Sequence, residues 1–352
     1  MATKTIFING VTGYIGGTVL ANLLRRPDIS SYKIRALVRN KEKAGKLKEL
    51  GIEPVIGELD DVDIIEKEAS EADVVIATAN CDHEPSAHAI LRGAKKRFET
   101  TGKRPVFINT SGTGVLSDNA RGLTTTDTIY DDSNVEQMAS IPLTQIHRPV
   151  DVAIVDADTA GYVYTYIILP STIYGWAKHD LVDRGIANYR SVQVPVLAAA
   201  SLERRRAGMV GKGVSLWPSV EIHELGDLYN IIFEKATKDP ESLGHGKNGY
   251  YFGASDEHSW YEISKAIGEA LVKLGRADDP EPTSFTKEEL DKYFAGSEYW
   301  GSNSRARANH SKSLGWNPKK TTTDLLASIE QEVRGCIEKP FKVPAGKEYP
   351  TH

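Results

Sequence analysis

Cysteine is scarce in this chain of 352 residues: Cys81 and Cys336 are the two it has, far apart and without partners at metal-ligand spacing. That excludes a disulfide-stapled scaffold and suits reduced thiols in a cytoplasmic protein. Long apolar runs are missing as well. No stretch approaches the roughly 18 apolar residues of a membrane-spanning helix, and Met1-Ala2-Thr3-Lys4 leads straight into a strand without an apolar signal segment. The chain therefore reads as neither membrane-bound nor secreted. Neither sign of charge dominates: 43 Lys and Arg stand against 48 Asp and Glu, a net charge of −5. Such a balance exerts no broad pull toward nucleic acid or an anionic membrane, although specific phosphate binding needs only a few local groups. No internal repeat is evident.

What is present is alternation. Short runs rich in Val and Ile, at Thr5–Asn9, Lys33–Val38, Glu53–Ile56, Val74–Thr78, Val106–Asn109 and Tyr164–Leu169, are separated by helical stretches at Gly16–Arg25, Glu42–Leu50, Asp61–Glu68, Ala87–Thr100 and near Thr144–Asp158. Unbroken apolar strands alternating with helices imply an α/β fold, a Rossmann-type doubly wound parallel sheet covered on both faces. After residue 170 the regularity breaks. The stretch Tyr174–Gly213, rich in small residues and ending near Arg204-Arg205-Arg206, opens a smaller, mostly helical C-terminal substrate lobe. A strand and helix within Val220–Ala236 and a strand at Gly249–Phe252 return to the sheet. Helices then follow at Trp260–Leu274, Lys287–Phe294 and Thr323–Ile337. The expected division is a dinucleotide domain over residues 1–174, completed by 218–255, and a lobe over 175–217 and 256–345.

The segment Gly10-Val11-Thr12-Gly13-Tyr14-Ile15-Gly16 directly follows the first strand and opens the first helix. Glycine tolerates positive φ and lets backbone approach a pyrophosphate, and a helix amino terminus offers N–H donors to an anion. The second strand ends Ala36-Leu37-Val38-Arg39, where an NAD site normally carries an acid for the ribose 2′-hydroxyl. Arg39 cannot accept that bond but can pair with a 2′-phosphate, and Lys43 lies one helical turn on. NADP(H) is therefore expected in preference to NAD(H).

These motifs, with Gly57-Glu58-Leu59-Asp60, Ala77-Thr78-Ala79, Asn109-Thr110-Ser111 and Leu169-Pro170-Ser171-Thr172-Ile173-Tyr174-Gly175 at later strand ends, resemble the short-chain dehydrogenase/reductase superfamily. The likeness is to its extended and atypical branches, which include NAD-dependent epimerase/dehydratase-like and NmrA-like proteins. It spans about residues 4–255, with Trp217–Asp227 and Leu314-Gly315-Trp316-Asn317-Pro318 as later fits. The resemblance implies that Glu58 and Leu59 border the adenine, Ala77, Thr78 and Ala79 the ribose and pyrophosphate, and Pro170, Ser171 and Ile173 the nicotinamide carboxamide. Thr110 would lie beside them. It also implies dimers, which related proteins often form through helices flanking the site.

Family members that transfer hydride usually pair a Ser or Thr with Tyr-x-x-x-Lys on the next helix. Ser111 fits the first position, but no Tyr-x-x-x-Lys occurs where expected; His147-Arg148-Pro149-Val150-Asp151 stands there instead. One reading makes His147 the proton donor and Asp151, a turn later, the group that orients it, with Pro149 in the helix's first turn. The other makes both a helix-start pair in a chain that has lost the chemistry. Tyr130 and Tyr174 are alternative donors. Asp127, Asp131 and Asp132 read as a solvated acidic loop. Cys81-Asp82-His83 with His88 lacks a second ligand pair, so no metal is expected. Arg204–Arg206 fits a substrate pyrophosphate or a solvated face, and His223 a place under the lobe or in the interior.

The expectation is thus an NADP(H)-dependent oxidoreductase acting on a small-molecule aldehyde, ketone or alcohol. The alternatives are an NmrA-like regulator that binds the dinucleotide and a protein partner, and a nucleotide-sugar epimerase or dehydratase.

Overall fold

In the computed structural model, described over residues 3–341, the apolar runs become parallel strands β1 (Lys4–Asn9), β2 (Tyr32–Val38), β3 (Glu53–Ile56), β4 (Val74–Ala77), β5 (Val106–Thr110), β6 (Tyr164–Pro170) and β7 (Tyr250–Gly253). They form one seven-stranded sheet in the order β7-β6-β5-β4-β1-β2-β3. β1 lies between β2 and β4, with Ile8 opposite both Ala36 and Ile76. The chain reverses its direction across the sheet at that point, so the loops after β1 and β4 diverge and leave a crevice at the strands' carboxyl ends.

Helices α1 (Tyr14–Leu24), α2 (Lys41–Glu49), α3 (Val62–Glu71), α4 (Glu84–Thr101) and α5 (Arg148–Thr159) supply the crossovers. α6 (Gln193–Arg204), α7 (Ile222–Lys238), α8 (Trp260–Lys273), α9 (Lys287–Phe294) and α10 (Thr322–Glu338) follow. α1 packs on α7, while α3, α4 and α5 pack in turn on one another. The strands of this layered sheet are apolar on both sides, and Phe7, Ile8, Phe107, Ile108, Tyr166 and Ile167 are wholly buried.

A second core lies beyond β6. Thr172–Tyr174, Leu216–Glu221 and Asp256–Ser259 make a small sheet with Leu216–Glu221 in the centre. Trp217, Trp260, Phe285, Phe294, Tyr299 and Trp300 cluster around it with α6, α8 and α10. Ring centroids lie 5.7 Å apart for Trp217 and Trp260 and 5.2 Å apart for Trp217 and Tyr299, distances at which tilted aromatic pairs attract. Residues 342–345, the end of the expected lobe, lie outside the described residues.

Three local expectations need correction. The stretch Tyr174–Gly213 is not irregular throughout: its Ala-rich run is helix α6, whose buried face includes Val194, Leu197 and Ala198. α5 starts at Arg148, because His147 at its N-cap has φ +67° and Pro149 fills the first turn, so Thr144–Ile146 remain loop. The acidic loop is not wholly solvated either. Asp132 is buried and accepts from Phe252 N at 2.9 Å, His310 N at 2.7 Å and both Ser311 N and Oγ, pinning the loop to β7 and the C-terminal segment.

Candidate active site

The turn after β1 divides its work among three glycines. Gly10 has φ +76°, and its carbonyl accepts from Gly13 N at 2.8 Å, closing the turn. At Gly16 a Cβ would lie 2.2 Å from Gly10 O and 2.3 Å from Thr78 Oγ1, so glycine there lets α1 press against the end of β4. A Cβ at Gly13, by contrast, would meet only Gly10 O, at 3.1 Å. Gly13 is the N-cap of α1 and provides no side-chain cap, so the helix presents bare N–H groups on an open side. Asn9 completes the cradle, a role that its type alone did not reveal. Its buried Oδ1 accepts from Thr78 N at 2.9 Å and Ala79 N at 3.2 Å, and its carbonyl accepts from Thr78 Oγ1 at 2.7 Å.

Beyond β2, Arg39 is exposed and Lys43 half-buried, and neither side chain has an ion pair among the described residues. Neighbouring Lys46, in contrast, is paired with Glu42 at 2.9 Å. Burial and Lys46 push the Lys43 pKa down, as expected of a cation that lacks an anion. These features fit a dinucleotide: bare helix N–H groups for the pyrophosphate and two unpaired cations for a further phosphate. Glu58 is exposed and Leu59 half-buried at the rim beyond β3, with Glu58 N donating to Asp61 Oδ2 at 2.8 Å.

From this cradle a cleft of about 740 Å³ runs toward the lobe. Ile15, Ala79, Thr110, Ser111, Pro170, Ser171 and Ile173 line its inner part, and Leu143, Ile146, Val192, Gln193, Trp217 and Tyr299 its outer part. Several expected contacts can be made only by backbone, since the side chains are engaged elsewhere. Tyr14 turns its hydroxyl inward to Tyr174 O at 3.1 Å and Gly175 O at 2.5 Å. Thr110 Oγ1 shares a 2.6 Å hydrogen bond with the Tyr229 hydroxyl, and Ser171 Oγ donates to Gly253 O at 2.7 Å. At Thr12 it is instead the backbone carbonyl that is engaged, accepting from Asn188 N at 3.0 Å.

Ser111 and Asp151 meet: Ser111 Oγ donates to Asp151 Oδ2 at 2.9 Å. Asp151 is 1% exposed, and its Oδ1 has no partner. Burial pushes its pKa up to about 7, against the opposing pull of His147 and the Ser111 bond. Asp151 therefore does not orient His147, as the one-turn spacing suggested. The orienting group is Asp82, in the loop after β4: its Oδ1 accepts from His147 Nδ1 at 2.6 Å and from His147 N at 2.9 Å. Cys81 Sγ lies 3.3 Å from the same Nδ1. Burial alone would lower the His147 pKa, but Cys81 and Asp82 outweigh it and raise it to about 10, so the imidazole is cationic at neutral pH.

His147 Nε2 faces the loop after β5. Cβ atoms built on Gly112 and Gly114 would sit 3.1 and 3.3 Å from it, so the two glycines leave room there for a substrate atom. The Tyr299 hydroxyl would lie 2.5 Å from the same Gly114 Cβ and thus flanks this space from the lobe.

Neither tyrosine suggested by sequence lines the cleft. Tyr174 is buried with its hydroxyl donating to Thr321 O at 3.1 Å, and Tyr130 sits in a short bridge opposite Ala306. Tyr299 is the tyrosine present, and Trp217 and Tyr299 were not identified from sequence because nothing local distinguishes a lobe residue that folds back over a distant cleft. His223 is structural: Nδ1 donates to Glu221 Oε1 at 2.7 Å and Nε2 accepts from Lys178 N at 3.1 Å. His83 caps α4 and donates to Asp60 Oδ1 at 3.1 Å.

Comparison with known proteins agrees with this architecture. The NmrA-like family model matches residues 2–96. The oxidase ucsJ of an Acremonium species is 29% identical over 96% of this chain and 99% of its own length. An uncharacterized Schizosaccharomyces pombe protein is 25% identical over 92% of this chain and 98% of its own. Among solved structures, UDP-glucose 4-epimerase of Thermotoga maritima, with UDP-glucose, superposes with a TM-score of 0.62 at 14% identity, covering 95% of this chain and 99% of that one. The dTDP-glucose 4,6-dehydratase of Bacillus anthracis, in complex with NAD, gives 0.61 at 16% identity, covering 95% and 98%.

The buried carboxyl yields a pH test. Folded Asp151 keeps its proton to about pH 7, whereas the unfolded side chain loses it near 3.8, so unfolding releases a proton between these values and wild-type stability falls as pH rises through that window. Asp151→Asn removes this penalty. Urea unfolding should show the variant gaining on the order of 2 kcal/mol relative to wild type between pH 5 and pH 8; a gap that does not change with pH would contradict the assignment.

Proposed function

We propose that this chain belongs to the extended short-chain dehydrogenase/reductase superfamily, with an NmrA-like amino-terminal segment, and is an NADP(H)-dependent oxidoreductase acting on the carbonyl or alcohol group of a small uncharged molecule. The observation that carries the proposal is the convergence of Ser111, Asp151 and His147 at one end of a cleft whose other end is the dinucleotide cradle. The oxidase relative supports an enzyme over a purely binding protein.

The nicotinamide, when bound, supplies or accepts the hydride. The chain's own groups handle the substrate oxygen. With Asp151 protonated, its O–H donates to Ser111 Oγ and frees the serine hydroxyl to donate to a carbonyl oxygen. His147, cationic and held at Nδ1 by Asp82, presents Nε2–H to the space beside Gly112 as the proton source. In the oxidative direction the polarity reverses: ionised Asp151 accepts from Ser111, as in the 2.9 Å bond, and Ser111 accepts from the substrate hydroxyl.

The lining argues about substrate class. Among the described residues it holds no Lys or Arg, and Asp82 and Glu84 are its carboxylates. Arg204 is bound to Glu289 at 2.6 Å and Arg206 to Asp279 at 2.8 Å, which leaves His147 as the cation that a sugar-nucleotide pyrophosphate would meet in the cleft, with neither of these two arginines to share it. Leu143, Ile146, Val192, Trp217 and Tyr299 favour an apolar or aromatic body on the substrate instead. A second reading, a regulator that binds the dinucleotide without turnover, is favoured by the NmrA-like match over residues 2–96.

Two variants test the assignment. Arg39→Ala should weaken NADPH binding by about 1.5–3 kcal/mol, the scale of a charge-assisted hydrogen bond, while sparing NADH; equal losses in a fluorescence titration would remove Arg39 from the phosphate site. His147→Phe should lower carbonyl turnover by about 100-fold or more, the usual worth of a positioned acid, with NADPH affinity unchanged. Wild-type turnover in that variant would point to Tyr299 as the donor.

A further inference from the structure

Cys81, Asp82 and His147 converge although they come from the end of β4 and the start of α5, and they form the one three-donor group of metal-ligand type among the described residues. We infer that these three side chains form a binding site for a soft divalent cation of the zinc class, opening into the substrate cleft. A tetrahedral zinc bound to thiolate, imidazole and carboxylate at about 2.3, 2.0 and 2.0 Å sets its donor atoms roughly 3.3–3.6 Å apart. Here Cys81 Sγ lies 3.3 Å from His147 Nδ1 and 3.8 Å from Asp82 Oδ2. The Asp82 Oδ1 to Nδ1 distance of 2.6 Å is that of a hydrogen bond, and a small rotation of the half-exposed carboxylate opens it to ligand spacing.

The backbone contributes as well. His147 is not glycine, yet it holds φ +67° at the N-cap of α5, a conformation that costs on the order of 1 kcal/mol and aims its ring at Cys81 and Asp82. A thiolate with an imidazole selects zinc over magnesium or calcium, and three protein donors leave a fourth position, here facing the cleft that all three residues line. Binding uses the Cys81 thiolate and the unprotonated Nδ1 of His147 as donors, so any protons these atoms carry pass to solvent, and no electron is exchanged. A cation here takes both His147 Nδ1 and Asp82, the two partners of the hydrogen bond that aims Nε2 at the cleft, so zinc removes that bond and switches off turnover. That consequence rests on the oxidoreductase reading; the binding does not.

The test is competition for zinc between the purified full-length chain, stripped with chelator, and a chromophoric zinc indicator. One zinc per chain should bind with micromolar or tighter affinity, and Cys81→Ala and His147→Phe should each weaken it at least tenfold. Cobalt(II) added to wild type should give a thiolate-to-metal absorption band in the near ultraviolet that Cys81→Ala lacks, a readout that needs neither turnover nor a variant of wild-type stability. Absence of zinc binding at about 50 μM, binding indifferent to both substitutions, or a cobalt spectrum without the thiolate band would each overturn the site. Zinc that binds as described but leaves NADPH-dependent carbonyl turnover unchanged would overturn the switch alone, and NADPH titration of the zinc-free chain judges the oxidoreductase reading separately.

Discussion

The candidate chemistry depends on the hydrogen bond from His147 Nδ1 to Asp82 Oδ1, reinforced by the one from His147 N to the same oxygen. A charge-assisted bond of this kind contributes about 1.5–3 kcal/mol, enough to offset the left-handed backbone that His147 adopts. It fixes the ring plane, aims Nε2 at the space beside Gly112 and Gly114, and, with Cys81, keeps the imidazole charged. Without it, the helix start at Arg148 would carry an ordinary surface histidine and the Ser111–Asp151 pair would face a cleft with no cation in it.

The sheet explains why that bond forms. Strand order brings the ends of β4, β5 and β6 side by side, so residues 81–82, 111–114 and 147 share one rim although they are up to 66 positions apart. The same order parts the loops after β1 and β4 and opens the cradle beneath α1. Asn9 and Thr78 tie the ends of β1 and β4 together below it, so the candidate cradle and the rim that carries Ser111 and His147 are held in one frame by buried hydrogen bonds. The lobe adds Trp217 and Tyr299 as an outer wall, and Asp132 ties its C-terminal segment back to β7.

Much of the scaffold was legible because its signals are local. Strands buried on both sides must be apolar throughout, and the glycines at 10, 13 and 16 report turn, approach and packing through the absence of a side chain. Ser111 and His147 were legible as candidates, polar residues at a strand end and a helix start, and both line the cleft. The partners were not. Asp151 has the right spacing to serve His147, but burial commits it to Ser111, while Asp82 reaches His147 from another crossover; neither fact has a periodic or compositional trace. Tyr174 matched a family motif yet packs inward, whereas Tyr299, in a stretch without any motif, lines the cleft. Long-range contacts between loops are set by topology, and one sequence exposes them only through the fold it adopts.

The most direct test of the account is to titrate the purified chain with NADPH and NADH by fluorescence and then follow NADPH absorbance with a panel of apolar aldehydes and ketones. The account predicts tighter binding of NADPH than NADH and oxidation of NADPH that depends on the carbonyl compound. Failure to bind either dinucleotide would contradict it at its root.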